Sequence, residues 1–373
     1  MREIGSEFWI GSEPERLLTE RDGVYCLSGR TAIDLVLQDI LRKRAVRSVA
    51  MPAWCCDSMV EPFVAHGIEL RFYDVKVRGE RLEVREGHTD VKVRGERLEV
   101  REGHTDFTDN TDKLDSRFRI QDSGATDIFY LTNYFGYENT VAIETVRRFK
   151  ERGAVVLYDR THSLLMEDGA YRDVADYSFA SIRKWMGVIG GAVVNGVKDC
   201  QLKPCSYLEC KEQAMRMKKS FIEGDTSIDK QAFLNLYGEF GHHLAEDYRN
   251  YEMDDLSYAL YKSEDLSAMR RKRRENAQYL HEHLKGVRFI GELTEGAVPL
   301  FVPVFFESRE QRDSVRRKLI EQRIYCPIHW PKPTQIPEGM RANEIYDTEL
   351  SVICDQRYGL AEMERIVTQI ARM

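Results

Sequence analysis

Two ionisable residues in the middle of the chain have the types and positions needed to do chemistry together. Asp159 follows the apolar run 154–158, so a carboxylate stands where a predicted buried parallel strand ends. Lys184 follows a second predicted strand, 175–179, and precedes a glycine-rich bend that allows the backbone to turn tightly. Because ligands of open α/β sheets bind beyond the carboxyl ends of the strands, we expect both side chains to face one crevice.

A third group of residues could bind an anion. Gly29, Arg30 and Thr31 open a predicted amphipathic helix, whose start offers free backbone N–H groups, a hydroxyl and a guanidinium. The same residues would also form an ordinary helix N-cap, which is the interpretation they favour when taken alone.

The three features together match the needs of one cofactor. A lysine in a crevice can bind an anion, form a structural ion pair or form a Schiff base. Pyridoxal phosphate requires a lysine for its aldehyde, a carboxylate for its ring nitrogen and an anion site for its phosphate. Lys184, Asp159 and the helix start, with Ser178 or Ser181, could supply these parts. The combination favours pyridoxal 5'-phosphate as the cofactor.

Composition limits the class of protein. The chain has 373 residues, 42% hydrophobic and 31% charged, which is typical of a soluble protein of two domains. A net charge of −7 argues against nucleic acid as the main partner, and the basic run 270–274 is interpreted as a solvated helix face. No apolar stretch has the length of a signal peptide core or a membrane span, so we expect a cytoplasmic protein without a membrane partner. The eight cysteines form no C-x-x-C pair, and no metal site is expected.

The order of predicted elements indicates the architecture. Residues 26–73 alternate helix, strand, helix, strand, which predicts a parallel sheet with crossover connections. Helices dominate from 202 to 284, and a compact α+β pattern follows. We therefore predict an α/β fold with a mostly parallel sheet between helices in a large cofactor-binding domain, 1–245, and a smaller C-terminal α+β domain, 246–373.

An internal repeat interrupts the large domain. Residues 74–89 recur without a change as 90–105, and each copy has two alternating runs that could form a β-hairpin. Two copies are too few for a solenoid, and an unmutated copy indicates a recent duplication or an artefact of the sequence. We expect a surface insert, 74–105, without a catalytic part; a metal role for its histidines, His88 and His104, is not favoured.

Five segments of the sequence match the motifs of one known family, in the same order. They are SGRTAIDLVL at the helix start, MPAWCCDSMVEPFVAHGIELRFYDV after it, Asp159-Arg160-Thr161-His162, SFASIRKWMGVIGGAVV around Lys184, and CDQRYGLAEMERI. They resemble the phosphate-binding helix start, the segment that follows it, the acidic turn, the lysine motif and the tail of the DegT/DnrJ/EryC1/StrS sugar aminotransferases, within the fold-type I pyridoxal-phosphate enzymes. The likeness covers most of 26–195 and the tail.

The resemblance implies roles for these residues. Lys184 would hold the cofactor as a Schiff base and later move a proton, Asp159 would keep the ring nitrogen protonated, and His162 would lie near the ring oxygen. It also implies a homodimer with the site near the subunit interface. The reaction implied is amino transfer from an amino acid, glutamate, to a keto-sugar nucleotide or a similar carbonyl compound.

The sequence departs from the family pattern at several positions. Cys56 stands where the family has the aromatic residue that stacks on the cofactor ring, so Trp54 or another residue is expected to replace it. Neither Ser178 nor Ser181 has the family's usual spacing from the lysine. The family segment that reaches into a partner subunit has no counterpart between 203 and 244.

Two further residues are candidates for contact with the substrate. Asn133 ends a predicted strand beside the same crevice, although a strand-end asparagine is commonly a turn residue. His329 lies in the small domain, in the segment 325–331, where the family closes over its substrate.

Two alternative functions remain open from the sequence. The same fold and cofactor could perform an acyl transfer or a β-elimination on an amino acid. The fold could also serve as a non-catalytic interaction module, against which the presence of both Lys184 and Asp159 argues.

Overall fold

The computed structural model describes residues 3–75, 84–86, 126–137, 139 and 141–371. Its strands are β1 (Ile4–Gly5), β2 (Val24–Cys26), β3 (Ser48–Pro52), β4 (Glu69–Val75), β5 (Val84–Glu86), β6 (Ile128–Thr132), β7 (Val155–Asp159), β8 (Tyr177–Ser181), β9 (Ala192–Asn195), β10 (Arg288–Phe289), β11 (Val302–Phe305), β12 (Ile324–Tyr325) and β13 (Glu349–Val352). Its α-helices are α1 (Gly29–Lys43), α2 (Asp57–Ala65), α3 (Ile143–Glu151), α4 (Gly169–Val174), α5 (Leu208–Glu223), α6 (Lys230–Glu246), α7 (Asp255–Ser263), α8 (Leu266–His283), α9 (Arg309–Glu321), α10 (Ala342–Thr348) and α11 (Leu360–Ala371). A single 3-10 turn, Ile182–Lys184, follows β8.

In the part of the chain that the structure describes, the main sheet has eight strands in the order β2-β9-β8-β7-β6-β3-β4-β5. The central strands β4, β3, β6, β7 and β8 run parallel, and β9 lies antiparallel between β8 and β2. Every residue of β3, β6 and β8 is buried, as expected for strands that are covered by helices on both faces. The predicted mostly parallel α/β sheet is confirmed. The parallel register also brings the carboxyl ends of β6, β7 and β8 to one edge.

A smaller sheet lies in the C-terminal part of the chain. β10, β11 and β13 pair antiparallel, and a separate parallel pair joins β12 to the N-terminal strand β1. Ile4 of β1 is fully buried in the same apolar cluster as the residues of β11 and β13. The division into domains 1–245 and 246–373 stays a prediction. The strand β1 belongs to the first of these ranges but packs with the C-terminal elements.

The ends of the first repeat copy form part of the main sheet. β4 and β5 pair antiparallel at its edge, with Tyr73 opposite Glu86 and Val75 opposite Val84. The remainder of the predicted insert, including the second copy and both histidines, His88 and His104, lies outside the described residues.

The long helical stretch after residue 250 contains a break that the periodicity did not predict. α7 ends at Ser263 and α8 begins at Leu266, because the Asp265 side chain accepts hydrogen bonds from the backbone N–H groups of Ser267 and Ala268. Within the described ranges, every helix is too short or too polar to traverse a lipid bilayer.

The basic run 270–274 lies on α8, and its interpretation as a solvated face is wrong for Arg273. This side chain is 0% exposed and donates hydrogen bonds to the carbonyl oxygens of Pro299, Leu300 and Trp185. Its guanidinium also lies 4.7 Å from the centre of the Trp185 ring. Arg273 therefore connects α8 to the residue directly after Lys184 and to the segment that leads into β11.

We expect Arg273→Gln to lower the free energy of unfolding by about 2–3 kcal/mol, because buried carbonyl groups lose charged donors. The measurement is urea unfolding followed by circular dichroism. Arg271→Gln, at an exposed position of the same helix, is the matched control and should change stability by less than about 0.5 kcal/mol. Equal effects of the two substitutions would contradict the structural role of Arg273.

Candidate active site

A cavity of about 360 Å³ lies at the carboxyl edge of the central strands. Of the residues predicted from the sequence, it is lined by Gly29, Arg30, Cys56, Asp159, His162, Ser181 and Lys184. Five others, Thr31, Trp54, Asn133, Ser178 and His329, do not line it. The two predicted central groups, the carboxylate and the lysine, therefore do share one crevice.

Lys184 ends the 3-10 turn that follows β8. The turn continues into Gly187, where a Cβ atom would lie 2.0 Å from the carbonyl oxygen of Trp9, so only glycine fits. Lys184 makes no hydrogen bond or ion pair with a described residue. Loss of solvent around the amine lowers the pKa of Lys184, and Arg183 lowers it further, while Asp159 partly opposes this. A lowered pKa favours the neutral amine, which is the nucleophilic form.

Asp159 ends β7 and is 5% exposed. One carboxylate oxygen accepts a hydrogen bond from the backbone N–H of Thr161 at 2.8 Å, and the other accepts one from the Tyr130 hydroxyl at 2.8 Å. Burial raises the pKa of Asp159, whereas these two hydrogen bonds and Lys184 act to lower it. The carboxylate is thus held in place by neutral donors and keeps acceptor capacity for a cation in the cavity.

His162 lies one turn beyond Asp159 and is buried among rings. Its ring centre is 4.5 Å from that of Phe135 and 5.4 Å from that of Trp330. Burial, with Lys184 and His329, holds the pKa of His162 well below its ordinary value, so the imidazole is neutral.

The helix start of α1 provides part of the predicted anion site. Ser28 is the N-cap, and its hydroxyl accepts a hydrogen bond from the backbone N–H of Thr31. The Thr31 hydroxyl donates to the carbonyl oxygen of Tyr248, so it points away from the cavity. Arg30 lines the cavity but forms an ion pair with Glu61 at 2.8 Å. Among the three residues predicted here, Gly29 leaves its backbone free at the cavity wall.

The two candidate serines have different surroundings. The Ser181 hydroxyl lines the cavity and is buried without a hydrogen-bond partner among the described residues. Ser178 lies deeper in β8, and its hydroxyl accepts a hydrogen bond from Asn195 at 3.3 Å. A buried polar atom without a partner indicates a site for a ligand atom, which favours Ser181 over Ser178.

The two residues considered for the position that stacks on the cofactor ring, Trp54 and Cys56, lie in different surroundings. Trp54 is 0% exposed and stacks on Tyr134 at 4.6 Å, while its indole N–H donates to the carbonyl oxygen of His329. Trp54 is therefore a core residue outside the cavity, whereas Cys56 lines it. The large aromatic residue beside the lysine is Trp330, whose ring centre lies 6.0 Å from the Lys184 amine.

Both predicted substrate residues serve other contacts in this structure. Asn133 is fully buried and closes its own turn, because its amide donates to the carbonyl oxygen of Tyr137 and accepts from the N–H of Gly136. His329 shares a hydrogen bond with the Ser351 hydroxyl at 2.8 Å and packs 5.9 Å from the His162 ring. Their predicted contact with substrate stays a prediction.

The sequence interpretation missed several residues of the cavity wall. They come from the N-terminal segment, the lysine turn, α5, α6 and the C-terminal unit: Glu7, Arg183, Lys211, Tyr237, Phe240 and Trp330. One signal was available, because Lys211 stands on the buried stripe of α5 together with Ala214 and Met215. A lysine at helical spacing with buried apolar residues marks an inward-facing charge.

The arrangement of the helices and strands matches that of solved proteins: the chain has the fold of the sugar aminotransferases that its sequence resembles. No protein-family profile matches the sequence, and no curated protein is detectably similar to it. The fold assignment therefore comes from solved structures.

Three of these structures illustrate the likeness. The Helicobacter pylori aminotransferase PseC, involved in the biosynthesis of pseudoaminic acid, has a TM-score of 0.63 and 15% identity, with 100% of this chain and 99% of that chain covered. A DegT DnrJ EryC1 StrS aminotransferase from Brucella abortus has a TM-score of 0.56 and 16% identity, with 94% of this chain and 85% of that chain covered. NtdA from Bacillus subtilis, with bound cofactor PMP, has a TM-score of 0.59 and 16% identity, with 94% of this chain and 72% of that chain covered. At these identities the likeness establishes the fold.

We expect Asp159→Asn to stabilise the cofactor-free protein increasingly as pH rises. Burial raises the pKa of Asp159 above its ordinary value of 3.8, so wild-type stability falls between that value and the folded-state pKa, where the unfolded chain has already lost its proton. The asparagine side chain of the variant does not titrate, so the variant does not lose stability in this way. The measurement is urea unfolding of both proteins from pH 4 to 8. Asp173→Asn, at an exposed position, should show no such trend. If the difference in free energy of unfolding between Asp159→Asn and the wild type did not change with pH, a raised pKa of Asp159 would be contradicted.

Proposed function

We propose that this protein is a pyridoxal-phosphate-dependent aminotransferase. The observation that carries the proposal is that Lys184 and the buried carboxylate of Asp159 line one cavity together with the hydroxyl of Ser181, and that neither Lys184 nor this hydroxyl has a hydrogen-bond partner among the described residues. Each of the three matches a different part of the cofactor: aldehyde, ring nitrogen and phosphate. The fold neighbours, which include a protein solved with bound PMP, support the same conclusion.

The residues of this chain would hold the cofactor as follows. The backbone of Gly29 and the hydroxyl of Ser181 would bind the phosphate, at the positive end of α1. Asp159 would pair with the ring nitrogen, and the neutral His162 would lie beside the ring oxygen. Trp330 is our candidate for the aromatic residue that flanks the ring, with Cys56 also at the cavity wall. When bound, the cofactor supplies an electron sink for the substrate carbon.

The Lys184 amine would carry the proton. Its lowered pKa favours the neutral nitrogen, which could accept a proton from the substrate carbon and return it elsewhere. Asp159 is fixed by Tyr130 and Thr161, so it can keep its place while the charge around it changes. Cavity residues of 7–245 would bind the cofactor, and Trp330 would close the site from the C-terminal unit.

The reaction proposed is transfer of an amino group from an amino acid, glutamate, to a keto-sugar nucleotide or a similar carbonyl compound. The fold neighbours, among them an aminotransferase involved in the biosynthesis of pseudoaminic acid, support a sugar acceptor. We retain the homodimer with a site near the subunit interface, and the cytoplasmic location, as predictions of the sequence.

The two alternatives make different demands on the site. An acyl transfer or β-elimination would use the same Lys184 and Asp159 but would not convert the cofactor to its amine form. An interaction module would not need a desolvated lysine, which is costly to keep without a function. Spectra recorded with a panel of amino acid donors distinguish all three, and conversion to the pyridoxamine form by glutamate supports the aminotransferase.

We expect the protein to bind pyridoxal phosphate with a visible absorption that borohydride bleaches. Reduction should fix a pyridoxyl group on the peptide that contains Lys184, as identified by mass spectrometry after digestion, and Lys184→Ala should lose the visible band. Lys211, the other lysine of the cavity wall, is the internal control and should remain unlabelled. A label on Lys211, or a colourless protein, would contradict the proposal.

Ser181→Ala should weaken the binding of pyridoxal phosphate by about 10- to 100-fold, because one hydrogen bond to a charged group is lost. The measurement is the dissociation constant from absorbance titration. Ser178→Ala is the matched control on the same strand and should change it by less than about threefold, since the Ser178 hydroxyl faces Asn195. The reverse order of effects would show that Ser178 holds the phosphate.

A further inference from the structure

We propose that Arg183 and Lys211 form an anion subsite in this cavity, separate from the helix start at Gly29, that binds a carboxylate or phosphate group of the substrate. That the bound anion belongs to a substrate rests on the proposed function, whereas the capacity of Arg183 and Lys211 to bind an anion does not.

Both cations line the cavity, and neither forms an ion pair with a described residue. Lys211 is 3% exposed, and its ammonium lies over the Phe240 ring at 4.8 Å. The Nε atom of Arg183 is buried and has no hydrogen-bond partner among the described residues. The subsite therefore presents an orphaned donor on Arg183 and an enclosed ammonium on Lys211.

Arg183 and Lys211 have no ion-pair partner among the described residues, and Glu7 offsets their charge only through space. Burial lowers the pKa of Lys211 to about 8, and the neighbouring Arg183 adds to this effect. Desolvated cations that repel each other are costly unless an anion joins them. Arg30, the other guanidinium of the wall, already pairs with Glu61, so it does not need the same anion.

Glu7 lines the same cavity, but it does not neutralise the two cations by contact. Burial acts to raise the pKa of Glu7, but Lys211, Arg183, Lys218 and Arg357 together hold it below its ordinary value. The Glu7 carboxylate forms no ion pair with a described residue. A ligand anion that can bond directly to Arg183 and Lys211 would therefore gain more than Glu7 does.

The chemistry of the pair defines the class of ligand. A guanidinium binds carboxylates and phosphates through two parallel N–H donors, and an ammonium adds a point charge. The pair lies on elements that do not build the α1 helix start, because Lys211 comes from α5 and Arg183 from the lysine turn. In this proposal the α1 start binds the cofactor phosphate, and the pair binds a second oxyanion. An amino donor with a distal carboxylate and a phosphorylated acceptor both carry such a group.

The test measures binding of two probes, glutarate and inorganic diphosphate, by isothermal titration calorimetry. The protein is used as purified, with pyridoxal phosphate added to saturation and without it. We expect Arg183→Gln and Lys211→Gln each to weaken binding of at least one probe by about tenfold or more. Loss of glutarate binding identifies the subsite with a carboxylate donor, and loss of diphosphate binding with a phosphorylated acceptor.

Three further variants keep the test independent of folding. Lys211→Arg retains the charge and should retain binding. Lys219→Gln removes a charge of the same helix outside the cavity and should change binding by less than about twofold. Glu7→Gln removes the competing carboxylate and should tighten binding a few-fold, a gain that misfolding cannot produce.

Three outcomes overturn the subsite: neither probe binds the wild-type protein, both glutamine variants bind the probes as wild type does, or the variants weaken only the binding of pyridoxal phosphate. Failure of the proposed function is separate from these outcomes. If Lys184 is not labelled but the variants lose probe binding, the subsite stands and the aminotransferase falls. If glutamate converts the cofactor but the variants bind both probes normally, the reverse holds.

Discussion

The removal of Lys184 and Asp159 from water into one cavity is the constraint on which the rest of the structure depends. Each group on its own is unfavourable where it lies: loss of solvent lowers the pKa of the lysine and raises the pKa of the carboxyl group. The fold does not relieve this by joining them in a salt bridge. It supplies neutral donors to Asp159 and gives Lys184 no hydrogen bond or ion pair with any described residue, so both groups keep their capacity for a ligand.

Lys184 and Asp159 can stay apart only because the backbone around them is held in place. Asp159 ends β7 directly opposite Phe179 of β8, so the sheet register fixes the distance between the carboxylate and the start of the lysine turn. The far side of that turn is held by Trp185, whose indole N–H donates to the carbonyl oxygen of Thr161 and whose own carbonyl accepts from Arg273. The buried arginine of α8 thus contacts the same turn as Lys184, although it lies on a distant helix.

The parts of the site that follow from local sequence were predictable, and those that come from distant segments were not. Asp159, Lys184 and the α1 start lie next to strand ends or a helix start, whose patterns of apolar and glycine residues can be read directly. Trp54 shows the limit: an aromatic residue beside a strand end can face the cavity or the core, and only the packing against Tyr134 decides this. Trp330 and Glu7 reach the cavity through tertiary contacts between segments far apart in the chain, for which the sequence has no local signal.

The contacts between the two parts of the chain explain why the C-terminal unit matters to the site. The indole N–H of Trp54 donates to the carbonyl oxygen of His329, and the buried Glu349 accepts from the N–H of the same residue. These two bonds fix the backbone immediately before Trp330, whose ring forms the cavity wall beside Lys184 and His162. Because one anchor comes from the segment after β3 and the other from β13, a shift of either segment would move this ring relative to the lysine. The relative position of the two units is therefore part of the geometry of the site.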